Sequence, residues 1–156
     1  MAATHEFSES NGAEVVHDSI ANLNFGSNDS YELNTTTYPI IRGNASFEKY
    51  MRCKFSGIFT EISNMKFWKS LGAYVTGESC KASANVVFVT PSATPNADSD
   101  VPVTEGTALS IQAADGTLTI IAPGYTKYIR LQLQTTVLTP SGAVNQKTFT
   151  FQYDEV

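Results

Sequence analysis

The chain has 156 residues and a mass of 16.9 kDa, with 42% hydrophobic residues and a formal net charge of -5. This length suffices for one hydrophobic core, and no apolar run approaches the roughly 20 residues of a membrane-spanning helix. The ten Lys and Arg residues are scattered too thinly for the basic surface that nucleic-acid binding requires. We therefore expect neither nucleic acid nor a membrane among the partners.

Residues 1–17 are predicted to form a flexible N-terminal arm that precedes a single domain over residues 18–156. The sizeable apolar side chains of this arm after the first residue are Phe7, Val15 and Val16, which are too few to anchor it in a core. The arm carries acids where a secretory signal has basic residues, and it has no apolar segment, so no signal peptide is predicted.

The clearest early strand pattern lies in "SFEKYMRCKFSGIF", residues 46–59, after a weaker one in "IANLNF", residues 20–25. One parity of this stretch is apolar: Phe47, Met51, Cys53, Phe55 and Phe59. The other parity is mostly polar: Glu48, Tyr50, Arg52, Lys54, Ser56 and Thr60. Alternation with period 2 is typical of a strand with one buried face, and Lys49 and Ile58 are its departures.

The middle of the chain contains weaker patterns and one long loop. Short strands are predicted at residues 64–68, 85–89, 108–113 and 117–121. The Asp115-Gly116 pair between the last two is a strong signal for a tight hairpin turn. Residues 91–106 hold three prolines and three acids, and they are predicted to form a long exposed loop.

Two more strands are predicted near the C-terminus. Residues 128–137 place Ile129, Leu131, Leu133 and Val137 on one face and Tyr128, Arg130, Gln132 and Gln134 on the other. Residues 147–153 alternate in the same way, and the turn-rich connection 139–146 predicts an antiparallel hairpin. About eight short strands indicate an all-β, antiparallel β-sandwich, either immunoglobulin-like or a jelly roll.

Candidate catalytic and metal-binding residues are few. Both histidines, His5 and His17, fall in the predicted arm, where preorganised catalysis is not expected, so we predict no enzyme, no cofactor and no metal site. Asp98 and Asp100, or Asp154 and Glu155, could form carboxylate pairs, and the Asp-x-Asp spacing of the first could bind calcium, but solvated loop acids are the favoured interpretation. Cys53 and Cys80 are predicted to be free, buried thiols, with a single disulfide as the alternative.

Aromatic residues allow two interpretations. Trp68 could form a sugar-stacking platform together with tyrosines, namely Tyr31, Tyr38, Tyr50, Tyr74 and Tyr128. The favoured interpretation places Trp68 in the core or at a sheet end, as in many immunoglobulin-like sandwiches. Tyr125 and Tyr128 follow "APG", a position where a tyrosine often hydrogen-bonds a corner of a Greek-key sandwich.

The polar faces of the two clearest strands form a candidate partner-docking face. Its members are Tyr50, Arg52, Lys54, Gln132 and Gln134. If the strands are neighbours in one sheet, these side chains make a broad polar surface with few like charges, although a merely solvated face is equally compatible with the pattern.

Several segments of the chain resemble a group of tailed-bacteriophage virion β-sandwich proteins. They are "YPIIRGNASFEKYMRCKFSGIF", "NMKFWKS", "PGYTKYIRLQLQTT" and "TFTFQYDEV", within residues 38–70 and 123–156. The resemblance implies a virion structural protein that assembles in the host cytoplasm. It implies an auxiliary capsid protein, of the decoration or cement type, with the major capsid protein or other virion proteins as partners.

Within that resemblance the chain is expected to be a homo-oligomer whose arm orders on contact with the capsid lattice. The nearest alternative is a neck, tail or head-fibre component of the virion. A second alternative, from another class, is a carbohydrate-binding module of a host-recognition appendage, which requires an exposed Trp68.

Overall fold

The computed structural model describes residues 2–142 and 145–156, and it assigns ten strands and one 3-10 turn to them. The strands are β1 (Thr4–Asn11), β2 (Val15–His17), β3 (Lys49–Ser56), β4 (Ile62–Leu71), β5 (Glu78–Val86), β6 (Ser99–Asp100), β7 (Leu109–Ser110), β8 (Gly124–Tyr125), β9 (Tyr128–Thr135) and β10 (Thr148–Glu155). The 3-10 turn is Glu105–Thr107. Part of the predicted arm and part of the predicted connection, residues 1 and 143–144, lie outside the described residues. No helix in the described part is long and apolar enough to cross a membrane.

The strands form two antiparallel sheets that pack face to face. The large sheet has the order β2-β1-β3-β9-β5-β6, with β8 beside the far end of β3, and the small sheet has the order β10-β4-β7. The predicted all-β, antiparallel sandwich is confirmed.

The core lies between the two sheets, and the period-2 patterns identify its inner faces. From the large sheet, β3 contributes Met51, Cys53 and Phe55, and β9 contributes Ile129, Leu131 and Leu133. From the small sheet, β4 contributes Ile62, Met65 and Phe67. Each such side chain contributes about 1.5–3 kcal/mol of stability on full burial, so this layer dominates the stability of the fold.

The N-terminal segment is a strand of the large sheet, so the prediction of a flexible arm over residues 1–17 is wrong. Strand β1 lies between β2 and β3, with registered pairs that run from Thr4 opposite Ser56 to Ser10 opposite Tyr50. The backbone ladder does not depend on side-chain polarity, and the polar side chains of β1 find partners. Ser8 donates to Asp18 at 2.5 Å, and the hydroxyls of Ser10 and Tyr128 lie 2.9 Å apart.

The predicted hairpin between residues 128–137 and 147–153 does not form. Strand β9 pairs with β3 and β5 in the large sheet, whereas β10 pairs with β4 in the small sheet. The connection between them therefore crosses from one sheet to the other. Each strand has an apolar face that must cover the other sheet, and opposite sheets satisfy both requirements.

The weaker strand predictions have mixed outcomes. Residues 64–68 lie within β4, but only the first two residues of 85–89 belong to a strand, and 108–113 contributes β7 alone. Residues 20–25 and 117–121 are not strands, apart from an isolated bridge between Ile120 and Ile62. A tight turn is present one residue earlier than predicted, with Ala114 and Asp115 at its centre: the Gly116 amide donates to the Ala113 carbonyl at 2.8 Å, and Gly116 has φ 90.

Most of strand β5 was not predicted, because most of its side chains are small or polar. It pairs with β9 along nearly its whole length. Asn85 introduces a bulge with φ 60, a conformation that asparagine tolerates better than most residues. Its side chain accepts from the Gln112 amide at 2.7 Å and donates to the Ser110 carbonyl at 2.9 Å. Asn85 thereby ties the two sheets together on the β7 side of the sandwich.

Candidate functional site

The candidate docking face predicted from the sequence lies on the outer face of the large sheet, but most of it is covered. Tyr50 and Gln132 are both 0% exposed, so neither can touch a partner. Arg52, Lys54 and Gln134 are half-buried. The prediction of a broad docking surface built on these five residues is wrong, because the chain itself folds over the sheet there.

The cover consists of residues 87–98, which include part of the predicted loop 91–106. The Gln132 amide nitrogen donates to the carbonyls of Ser46 and Thr94, each at 3.0 Å, and its amide oxygen accepts from the Asn96 backbone at 2.9 Å. Gln134 donates to the Asn96 carbonyl at 2.9 Å. These two glutamines supply the hydrogen bonds that hold the segment against the sheet.

An ion-pair cluster fastens the same cover. The Arg130 guanidinium donates twice to Asp98, from Nε at 2.9 Å and from Nη2 at 2.6 Å, and it lies 3.6 Å from Glu48. Asp98 is the principal reason that the pKa of Arg130 is raised further above its usual value. The loop over residues 91–106 is therefore docked in part: β6 pairs with β5, and Val101 is buried. Most of its residues are nevertheless exposed, so the predicted long exposed loop is present but is anchored to the sheet.

The part of the outer face near β8 is more open and holds a cationic stack. The Arg52 guanidinium lies 3.9 Å from the ring centre of Tyr125 and 4.6 Å from that of Tyr128. Lys54 contacts Asp18 at 2.6 Å and Glu6 at 3.1 Å. The hydrogen bond from Lys54 is the largest cause of the lowered pKa of Asp18, with the bond from Ser8 second. These contacts fasten β2 and the following residues to the sheet.

The predicted corner tyrosines bond side chains of the N-terminal segment. The Tyr125 hydroxyl lies 3.2 Å from the Asp18 carboxylate, and the Tyr128 hydroxyl lies 3.0 Å from Glu14. The corner role expected for these tyrosines is therefore not what they do, because both hydroxyls bond N-terminal side chains more than 100 residues away.

A buried ion pair explains why Lys49 departs from the apolar alternation. Its ammonium contacts Glu9 at 2.6 Å and donates to the Ser30 carbonyl at 3.0 Å. Both side chains are almost completely enclosed at one end of the core. Breaking such a pair leaves an uncompensated buried charge, so the two residues require each other.

The candidate catalytic and metal-binding residues are dispersed. The nitrogen of His5 lies 3.1 Å from the Tyr153 hydroxyl, and His17 stacks on Tyr31 with ring centres 4.3 Å apart. Asp98 and Asp100 pair separately with Arg130 and Lys81. Within residues 2–142 and 145–156, no group of three or more His, Cys, Asp or Glu side chains is arranged to hold a metal ion.

The two cysteines are free and buried, as predicted. Burial raises the pKa of both the Cys53 and the Cys80 thiols to about 12. Because the thiolate is the nucleophile, these thiols are protonated and unreactive in the folded chain at neutral pH.

Trp68 lies on the outer face of the small sheet, so it does not belong to the core, which was one of the two places expected for it. Its neighbours along β4, Met65 and Phe67, are buried, whereas Trp68 is half-buried and opposite Thr150 of β10. The tyrosines proposed to join it do not form a common surface. Tyr50 and Tyr128 are buried on the large sheet, and only Tyr38 is classed as exposed.

A large cavity opens between the sheets on the side of β10. Its volume is about 1070 Å³. Inner-face side chains of both sheets line one wall, including Phe7, Met51, Phe67, Phe149 and Phe151. Residues 20–25, the segment predicted as a weak strand, also line the cavity, together with residues from 35–42, 139–142 and 145–148.

An exposed apolar patch lies at the end of the sandwich. Val137 and Leu138 are each 73% exposed, and Ile41 is 66% exposed. These side chains belong to two loops, residues 41–44 and 137–138, and Thr135 holds the first loop next to the second. Its hydroxyl accepts from the Gly43 amide at 3.0 Å and lies 3.5 Å from the Ile41 carbonyl. We call Ile41, Val137 and Leu138 the loop-end patch. Sequence analysis assigned Val137 to the inner face, although its place next to Leu138 before "TPSG" was a signal for an apolar loop.

Comparison of the chain with protein-family models, with curated proteins and with solved structures found no match. The loop-end patch, the half-buried Trp68 and the inter-sheet cavity are therefore assigned from geometry. The cavity adjoins the loop-end patch, because Ile40, Arg42 and Thr135 line the cavity.

Proposed function

We propose that the chain is a bacteriophage virion structural protein, an auxiliary capsid protein that docks on the capsid lattice through the loop-end patch. The observation that supports this most directly is the patch itself, where three apolar side chains from two loops stand in solvent. Contiguous exposed apolar residues typically mark protein interaction surfaces. The resemblance of residues 38–70 and 123–156 to virion β-sandwich proteins supplies the class of partner.

The rigidity of the patch also supports docking. The hydroxyl of Thr135, at the end of β9, holds the 41–44 loop next to residues 137–138, and it also donates to the Asn44 carbonyl at 2.8 Å. A preformed surface loses little conformational entropy on binding. Many weak copies of such a contact become strong when the protein is oligomeric or the lattice repeats.

The docking element originally expected, a flexible arm over residues 1–17, is not part of this proposal. Strand β1 is paired on both edges, so it is not free to order on a partner. Deleting it would remove a strand from the sheet and would not isolate a docking function.

Cryo-electron microscopy of purified particles tests the proposed function. Many copies on the shell, with the loop-end patch against the major capsid protein, are the expected result. About a dozen copies at the portal or tail would assign the chain to the neck, tail or fibre instead, and absence from the particle would overturn a virion role.

A charge substitution tests the docking surface. The double variant Val137→Glu and Leu138→Glu is expected to reduce binding to the particle at least about tenfold, because it places two carboxylates in a dry contact. Val87→Glu is the matched control, since Val87 is 76% exposed and lies outside the patch. Undiminished binding by the double variant would refute docking through this patch.

A carbohydrate-binding module is the second candidate, and the position of Trp68 favours it. The ring is half-buried on a polar sheet face opposite Thr150, where one sugar could stack. In a glycan array, loss of binding in Trp68→Ala with retention in Trp68→Phe would support this candidate. The absence of any bound glycan would remove it.

A further inference from the structure

We propose that the groove between β10 and residues 21–25 binds an extended polypeptide segment of a partner, which adds to the small sheet as a strand. The segment would carry apolar side chains at every second position and a carboxylate near one end. This binding mode is independent of whether the partner belongs to a virion.

The first observation is an unpaired strand edge. In the described part of the chain, β10 pairs with β4 on one side and with no other strand. Between its two register shifts, Phe149–Gln152 is regularly paired with β4 and contains neither proline nor charge. Natural proteins usually protect an exposed edge with such residues, and an edge without them is suited to pairing with another chain.

The second observation is an unpaired segment across the groove. Residues 21–25 have no backbone hydrogen bond to any described residue, although the segments on both sides of them are anchored. Ile20 donates to the Phe7 carbonyl at 3.0 Å, and the Gly26 carbonyl accepts from Phe47 at 2.9 Å. Gly26 is fixed by close packing, because a Cβ there would lie 2.4 Å from the Tyr38 carbonyl oxygen. An inserted strand would therefore meet backbone groups on both sides.

The third observation is the space below the edge. The cavity of about 1070 Å³ reaches the inner-face rings of Phe149 and Phe151. A three-stranded sheet lies over one twice as wide. Asn85 bridges the sheets on the β7 side, and on the β10 side the Tyr153–His5 hydrogen bond lies beyond the Phe149–Gln152 stretch. Alternate side chains of an added strand point toward the core, so apolar residues at every second position would fill this space.

The charged side chains that line the cavity predict a carboxylate near one end of the partner segment. The chain has an excess of acids, yet the charged residues that line the cavity are Arg42 and Lys147, both cations. Lys147 contacts Glu78, whereas Arg42 has no ion pair within the described residues. An acidic residue near Arg42 would be favoured, and a basic one would be repelled.

The test uses the full chain and acetylated, amidated eight-residue peptides in which threonine alternates with valine or phenylalanine and aspartate stands at one end. At saturation, hydrogen exchange of the β10 amides is expected to slow at least about tenfold, because the added strand protects them. The same peptide methylated on alternate backbone nitrogens keeps its side chains but loses edge hydrogen bonds, and it should bind at least about tenfold more weakly.

Two variants, each paired with a control, test where the peptide binds. Leu23→Trp fills the groove and should abolish binding, whereas Leu118→Trp, at an exposed position outside the cavity lining, should not. Arg42→Glu should weaken binding of the aspartate-ended peptide and strengthen binding of a lysine-ended peptide. Lys127→Glu, its control, should change neither affinity.

Several outcomes would overturn the proposal. No binding of any alternating peptide at about 1 mM, or binding with unchanged exchange at β10, excludes strand addition. If the methylated peptide bound as tightly as the unmethylated one, edge hydrogen bonds would not contribute to binding, and the groove would be a general apolar site. Concentration-dependent dimerisation that protects the same amides would assign the groove to a second copy of this chain.

Discussion

The inner face of the large sheet and the covered part of its outer face are both buried, but by different means. On the inner face, Leu131 packs into an apolar core against the small sheet. On the outer face, its neighbour Gln132 is equally enclosed, yet it is held by hydrogen bonds to three backbone groups in two segments. Alternation therefore reveals which side chains share a face of a strand, but it does not reveal whether the polar face is exposed to solvent.

The largest expected effect comes from placing a polar group on the inner face. Leu131→Gln should destabilise the chain by about 3–5 kcal/mol, because it buries an amide without partners and disturbs the packing. Urea unfolding followed by circular dichroism measures the change. A loss below about 1 kcal/mol would mean that the inner face admits water.

The converse substitution on the outer face should lower the free energy of unfolding by somewhat less. Gln132→Leu keeps the volume but leaves the Asn96 amide and two carbonyls without their partner, and a loss of about 2–3 kcal/mol is expected. The same unfolding assay applies. Exchange of the amides over residues 92–98 should also accelerate, and unchanged exchange there would show that Gln132 does not hold the cover.

The open part of the outer face should respond to pH. The pKa of Asp18 is lowered chiefly by its hydrogen bond from Lys54, so the folded state holds this proton less tightly than the unfolded state. Its contribution is therefore present above the usual carboxyl range and is lost as the pH falls through the lowered pKa.

For a half-exposed ion pair the expected contribution is about 0.5–1 kcal/mol. The stability difference between the wild type and Asp18→Asn should thus be visible near pH 6 and shrink as the pH falls below the usual carboxyl range. A difference that persists in acid would assign the effect to something other than the carboxylate charge.

The smallest expected effect is on the outer face as well. The Tyr50 hydroxyl is buried and makes no hydrogen bond of standard geometry among the described residues, although the Arg130 guanidinium is near enough to oppose the rise of its pKa on burial. The Tyr50 ring packs on Phe88 and Tyr128. Tyr50→Phe should therefore change the unfolding free energy by less than about 0.5 kcal/mol. A loss above about 1.5 kcal/mol would show that the hydroxyl is satisfied and belongs to the polar network.

Part of the candidate binding surfaces could be predicted and part could not. The sequence marked Trp68 as a sugar-stacking candidate, but it did not show that β4 turns this ring outward. It identified the polar parity of β3 and β9, but the five residues chosen as a docking face are mostly covered. The free edge of β10 was unpredictable, since the pattern of that strand fits either a hairpin with β9 or a place in the other sheet.

By itself, the sequence determined the all-β class, the inner faces of β3 and β9, the burial of both thiols and a turn within one residue of Asp115-Gly116. These features follow from local geometry, because successive side chains of a strand point to opposite faces and glycine accepts a positive φ. Only the tertiary structure decided that the N-terminal segment is a strand, that β10 joins the small sheet and that residues 87–98 cover the large one. Those outcomes depend on backbone pairing and hydrogen bonds between residues far apart in the chain, which leave no periodic signal in the sequence.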